Sequence, residues 1–332
     1  MKFHPSAAIS LLLLSSLCSA QIIQSGGKTS QASKVERETA WQASTSPAPD
    51  LTPDADGLLS AEQMRNILRV SADHDLENDK RQRDYTYLER EEQHKLDGKG
   101  RVKSTEVRTS EVLMIYGEQV ERLIAKDDKP LSAKDAGKEE GKIQKIIDKR
   151  EHESEKDRQK RLAKEEKDRE DGRKFVMEVA DAYNFRFLGI KKIDGRDAYV
   201  IDAEPRPGFE PKMKYANILP KFRFRAWIDK QDLQWTKLDA FCIDTVSFGL
   251  FLARIHKGTR IIVDQTRVNE EVWLPKHLDI KLNARLALLK NFNLDYDTTY
   301  SDYKKFRAGA KIVGVGEVQR QPAESPKRSA NP

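Results

Sequence analysis

Strict two-residue alternation of apolar and polar side chains constrains this chain more than any other feature. Phe222, Phe224, Ala226 and Ile228 alternate with Arg223, Arg225 and Trp227, and Leu278, Ile280, Leu282, Ala284 and Leu286 alternate with Lys281, Asn283 and Arg285. Successive side chains of a strand point to opposite faces, so each segment buries one face and wets the other. A helix, with its 3.6-residue period, could not sort these residues into two faces. Turn chemistry separates further strands: Asp97-Gly98-Lys99-Gly100, Asp194-Gly195, the run from Asp229 to Asp232, and Asn269-Glu270-Glu271. Between the turns, strands are expected around Tyr85 and Tyr87 and over 102–116, 119–125, 185–192 and 196–203. A Pro-rich crossing at 204–220 precedes strands at 222–228, 233–243, 259–268, 272–289 and 292–306. The fold class expected is α+β, a curved antiparallel sheet of half-barrel form covered by helices.

Residues 134–183 break the strand pattern with a charged helical insertion. Opposite charges recur four apart: Asp157 with Arg161, Arg161 with Glu165, Lys164 with Asp168, Glu165 with Arg169, and Glu170 with Lys174. Each such pair adds about 0.2–0.5 kcal/mol to an exposed helix. Ile143, Ile146 and Ile147 make an apolar stripe at one end, and Phe175, Val176, Val179, Ala180 and Tyr183 make another. The pattern predicts a helix docked at its ends with a solvated middle. Acid and base are nearly balanced along it, which argues against a basic nucleic-acid arm.

The N-terminal segment constrains location. Lys2 and His4, an apolar run at 7–17 and the small residues ending at Ala20 predict a secretory signal over 1–20. Leu17 before Cys18 does not fit lipoprotein processing. A polar leader at 21–57, one half-barrel domain at 58–306 and a frayed tail at 307–332 are expected to follow, with no transmembrane segment. Signal removal would leave Cys242, flanked by Phe241 and Ile243, as the one thiol, expected as a small hydrophobe in a strand. Around Asp54, Asp56 and Gly57 the chain imitates a calcium loop. Thr52 and Gln63 stand where the first and last carboxylates belong, so Ser60 is better placed as a helix N-cap with Gln63 closing a capping box. With 60 basic and 54 acidic residues interleaved, the formal charge of +6 implies no nucleic-acid partner.

Catalytic and metal motifs are missing from the sequence. His74, His94, His152, His256 and His277 show no metal spacing, and His152-Glu153 has Lys156 where a zincin would carry its second histidine. No G-x-S-x-G or P-loop occurs, and Gly314-Val315-Gly316 stops short of a dinucleotide fingerprint. Neither enzymatic activity, a cofactor nor a metal is expected.

Three segments carry a resemblance. Arg225-Ala226-Trp227-Ile228-Asp229-Lys230-Gln231-Asp232-Leu233-Gln234-Trp235 resembles the strand-and-turn of periplasmic outer-membrane lipoprotein-sorting and lipoprotein-carrier proteins. The run from Asn269 through Trp273, Leu274 and Pro275 to His277 is similar to their turn and Leu-Pro strand, and 300–306 to their closing strand. The resemblance implies an unclosed barrel whose concave, apolar side holds acyl chains beneath helices. The charged insertion departs from that pattern. Combined with the alternation, it makes Phe222, Phe224, Ile228, Leu278, Ile280, Leu282 and Leu286 the candidate concave face. A periplasmic binding or carrier protein for a lipid, an acylated protein or another amphipathic ligand is the leading expectation. The alternative is a structural or sensing envelope protein, its core filled by its own helices and its charged helix binding a partner.

Overall fold

The computed structural model describes residues 50–305 apart from 117, 249–252 and 287–289. The expected signal at 1–20, the leader up to 49 and the tail at 307–332 lie outside the described residues. The chain opens with β1 (Leu58–Leu59) and α1 (Ala61–Gln82), then a meander of β2 (Tyr85–Leu96), β3 (Val102–Ile115), β4 (Glu118–Lys126) and β5 (Lys129–Pro130). Helices α2 (Ala133–Glu151) and α3 (Glu155–Ala182) lead to β6 (Tyr183–Ile193), β7 (Arg196–Pro205), a 3-10 helix (Lys214–Lys221), β8 (Phe222–Asp229) and β9 (Trp235–Cys242). A small hairpin of β10 (Val246–Phe248) and β11 (Ala253–Ile255) precedes β12 (Arg260–Val268), β13 (Val272–Leu286) and β14 (Lys290–Lys305).

Among the described residues all these strands join one 14-stranded sheet in the order β1-β6-β7-β8-β9-β12-β13-β14-β2-β3-β4-β5, with β11 also on β13 and β10 on β11. The end strands do not meet, so the sheet stays open and the fold is α+β with an antiparallel sheet not closed into a barrel. The last strand is the seam: β14 pairs with β13 on one side and β2 on the other.

Turns form where backbone chemistry permits them. Asp194 and Gly195 both take positive φ, 48° and 82°, and Asn269 and Glu270 take 50° and 54°. These are the paired left-handed residues that a tight hairpin with the sheet's own twist requires. Ser60 caps α1, its hydroxyl accepting from the Gln63 N–H at 3.1 Å while Gln63 Oε1 accepts from the Ser60 N–H at 2.8 Å. That reciprocal pair is the capping box read from the sequence.

The core is divided. Met64 and Ile67 of α1 and Ala180 of α3 pack with Phe185, Tyr199, Ile201 and Ile228 of the sheet. Ile143 of α2 packs instead on Leu113, Ile115 and Val120. Because side chains alternate along β3, Leu113 faces away from Val112, whose cross-strand partner is Tyr87. Helix α2 therefore covers the opposite face of the sheet.

The charged insertion differs from expectation in being two helices. Ser154 caps α3 by accepting from the Asp157 N–H at 3.2 Å, and α2 ends at His152. Glu153, in the break, is gripped by Arg150 at 3.1 Å and Arg161 at 2.7 Å. Arg161 thus reaches back across the break, while the expected pairs Lys164–Asp168 (3.6 Å) and Glu170–Lys174 (2.7 Å) form. The hairpin of β10 and β11 was not legible, since three-residue strands are too short to show a period.

Candidate functional site

Cross-strand register sets out the face that α1 and α3 share. Reading across neighbouring strands, one row runs Phe224, Ala240, Ile261, Ile280, Tyr296, Gln93 and Glu106. The next runs Ala226, Leu238, Val263, Leu278, Thr298, Glu91 and Arg108. A third contains Tyr300, Glu89 and Ser110. The face is apolar from β8 to β13, carries hydroxyls on β14, and becomes acidic and basic on β2 and β3.

The seven predicted residues fall into different surroundings along this face. Phe224 and Ile228 lie in the cluster that the helices cover. Phe222 packs with Ile218 of the 3-10 helix, Cys242 and Val246. Leu278, Ile280 and Leu282 belong to a cluster drawn from strands alone, with Ile261, Val263, Tyr296, Trp235, Leu238 and Leu294. Leu286 ends β13, its backbone paired with Ala253 and Lys290. Phe222 and Ile228 thus sit in core filled by the protein itself and Phe224 is partly buried against that core, whereas Leu278 and Leu282 are partly buried around Ile280 with no helix residue in their cluster. Sequence reasoning missed Trp235, Leu238, Ile261, Val263, Leu294 and Tyr296. The two-residue period of β12 and β14 carried the signal, but only register shows that these strands flank β13.

One end of this face is clamped by a polar network. Asp229, 1% exposed, receives both arms of Arg196 at 2.7 and 2.8 Å, and also caps the turn through the N–H groups of Gln231 and Asp232. Asp232, equally buried, accepts from Arg267 at 3.0 Å and from the Trp273 indole at 2.9 Å. Asn78 of α1 brackets the Trp273 backbone, donating to its carbonyl at 2.9 Å and accepting from its N–H at 2.7 Å. The two motifs at 225–235 and 269–277 therefore meet at one point and tie α1 to the sheet. Pairing of this kind makes buried charge tolerable, although Asp232 Oδ1 itself accepts no hydrogen bond from a described residue.

Burial shifts two ionisable groups on this face. Cys242 is fully buried, its Sγ donates to the Asp244 carbonyl at 3.0 Å, and burial pushes its thiol up to about 11. A thiol so protonated is no nucleophile. Glu89, half-buried on β2, is pushed up to about 8, first by burial and then by the charges of Glu121 and Glu91, with Arg108 opposing. No group of three or more His, Cys, Asp and Glu side chains that could hold a metal ion occurs among the described residues.

No known family profile and no curated protein sequence matches the chain. Among solved structures, the chain is similar to a protein described as an outer membrane lipoprotein-sorting domain of Vibrio parahaemolyticus, with 11% identity and a TM-score of 0.31 over 76% of this chain and 95% of that one. A DUF1329 family protein of Desulfovibrio piger gives 11% identity and a TM-score of 0.26 over 75% and 95%. A LolA superfamily protein of Nitrosomonas europaea gives 11% and 0.27 over 75% and 94%. The lipoprotein-sorting and LolA descriptions of these neighbours name the same family that the sequence resembles.

Proposed function

We propose that this chain is an exported, periplasmic binding or carrier protein that holds a lipid or an acylated protein on the apolar strip around Leu278, Ile280 and Leu282. The observation behind this reading is the strand-only cluster. It lies on the face that carries α1 and α3, yet no helix residue belongs to it, and five of its large side chains keep accessible surface. Covering such surface yields about 25 cal/mol per Å², or about 0.8 kcal/mol for each methylene of an acyl chain. The helix-filled part, with Phe224 and Ile228, acts as the rigid wall against which the strip is held open. No helix among the described residues is long and apolar enough to cross a membrane. The single domain at 58–306 and the signal at 1–20 belong to the same proposal.

Displacement of a fluorescent fatty acid tests it. Leu282→Glu places a charge on the strip and abolishes uptake. Lys281→Glu, on the other face and exposed, leaves uptake within about twofold. Both variants must melt near wild type. Folded wild-type protein that takes up no acyl probe removes the carrier reading and leaves the filled-core alternative, with the charged helices as the partner-binding element.

A further inference from the structure

Beside the apolar strip, the same face holds a group of side chains that the carrier reading does not use. Tyr300 lies two residues along β14 from Thr298, the partner of Leu278, and its own partner on β2 is Glu89. The Tyr87 ring meets Tyr300 edge-on at 5.9 Å and Tyr303 at 5.6 Å. Strand spacing and rise put Glu89 about 12 Å from Leu278 across the sheet. Glu91 of β2, Arg108 of β3, Glu121 of β4 and Tyr300 and Tyr303 of β14 face this spot along with Tyr87, and Glu121 is exposed at its rim.

Two of these groups have no hydrogen-bonding protein partner among the described residues. The Tyr300 hydroxyl makes no hydrogen bond to any described residue, although protein surrounds it so fully that burial holds its proton well above the usual phenol range. The Glu89 carboxyl has no hydrogen bond or ion pair to a described residue either, and burial dominates its upward shift to about 8. Both residues nevertheless keep some accessible surface. Water can therefore serve them in the free protein, and a ligand that brings hydrogen-bond donors can take its place.

We propose that this tyrosine-flanked, acidic end of the face, Glu89 with Tyr87, Tyr300 and Tyr303, receives the amine headgroup of an amphipathic ligand whose tail lies on the strip at Leu278–Leu282. The inference rests on the carrier reading and names its ligand class. Three carboxylates, Glu89, Glu91 and Glu121, face one guanidinium, Arg108, which disfavours an anionic headgroup. Aromatic ring faces favour a cation. An ammonium donates the hydrogen bonds that the Tyr300 oxygen and the Glu89 carboxylate can accept.

Proton linkage gives the test. Glu89 is mostly protonated in the free protein at pH 7, and a bound ammonium stabilises the carboxylate, so binding expels a proton. Affinity for the amine therefore rises with pH until Glu89 is ionised without help. Between pH 7 and pH 9 the expected gain is about tenfold, because the ionised fraction of a group near 8 rises by that factor. Dodecylamine, charged throughout this range, dodecanol and dodecanoate are titrated against the full chain by displacement at pH 6, 7, 8 and 9. Dodecylamine is expected to bind tightest and to strengthen about tenfold from pH 7 to pH 9. Glu89→Gln flattens that dependence and weakens the amine while leaving dodecanol within twofold, and Tyr300→Phe weakens the amine severalfold. Dodecanol or dodecanoate binding as tightly as the amine, or amine affinity flat or falling with pH, overturns the headgroup assignment and leaves the carrier reading standing. Failure of all three probes to bind folded protein overturns both.

Discussion

Asp232 shows how much one side chain can hold together. It joins two arginines and an indole at a buried point, and its backbone carbonyl lies 2.6 Å from His74 Nδ1 of α1. Replacing it with alanine takes the buried carboxylate away from Arg267 Nε and the Trp273 indole, although Arg196 keeps Asp229 and Arg267 keeps Glu270. Breaking one partner out of a buried pair costs about 3–5 kcal/mol. Asp232→Ala is accordingly expected to lower stability by about 3 kcal/mol in urea denaturation. Asp194→Asn, which keeps a residue tolerant of the left-handed turn and removes only the exposed ion pair with Lys276 at 2.7 Å, is expected to cost under about 1 kcal/mol. Equal losses for the two would show that the network is not what fastens the turn. The sequence displayed the motif 225–235 but not its purpose, because Arg196, Arg267 and Trp273 come from three other strands.

At the scale of elements, the insertion is a helix pair hinged on Glu153. Its side chain is 10% exposed between Arg150 and Arg161, and Arg161, followed by Arg150, holds its carboxyl below the usual carboxylate range. A lowered value means a contribution present at neutral pH and lost as pH falls below the ordinary glutamate range. Glu153→Gln is expected to cost about 1 kcal/mol at pH 7 and low salt, and less in 0.5 M salt, where the Debye length is only a few ångströms. Its penalty is expected to shrink at acid pH, as the wild-type carboxyl itself protonates. A melting difference that ignores both salt and pH would mean that the break is set by Ser154 capping alone. Composition announced helix here correctly, since charge pairs four apart are local. The break itself depends on an arginine eight residues from its glutamate, which no helical period encodes.

At the scale of the molecule, β14 decides whether there is one sheet or two. The meander β2–β5 is sequential, and so is most of β6–β13, yet only β14 links them, through pairings on both edges. Ending the chain at residue 289 is expected to abolish the single cooperative melt, leaving separate broad transitions or aggregation from the two freed edges. A truncated protein that still melts in one sharp step would show that the helices alone unite the halves.

The sequence by itself determined most of the strands, which faces they bury, where tight turns fall and that most of 134–182 is helical, but not the β10–β11 hairpin, the break at 152–154 or the start of β6 at Tyr183. Those features are written in periods of two and 3.6 residues and in Asp-Gly and Ser-x-x-Gln spacings, all read within a few residues of one another. Tertiary structure alone decided which apolar faces the helices fill and which stay partly open. Phe224 and Leu278 carry the same alternating signature, but α1 and α3 reach over only the former. It also decided that Glu89 and Tyr300, over two hundred residues apart in the chain, stand side by side next to the strip. Register between distant strands is set by the summed burial of the whole sheet, and no single segment contains that sum.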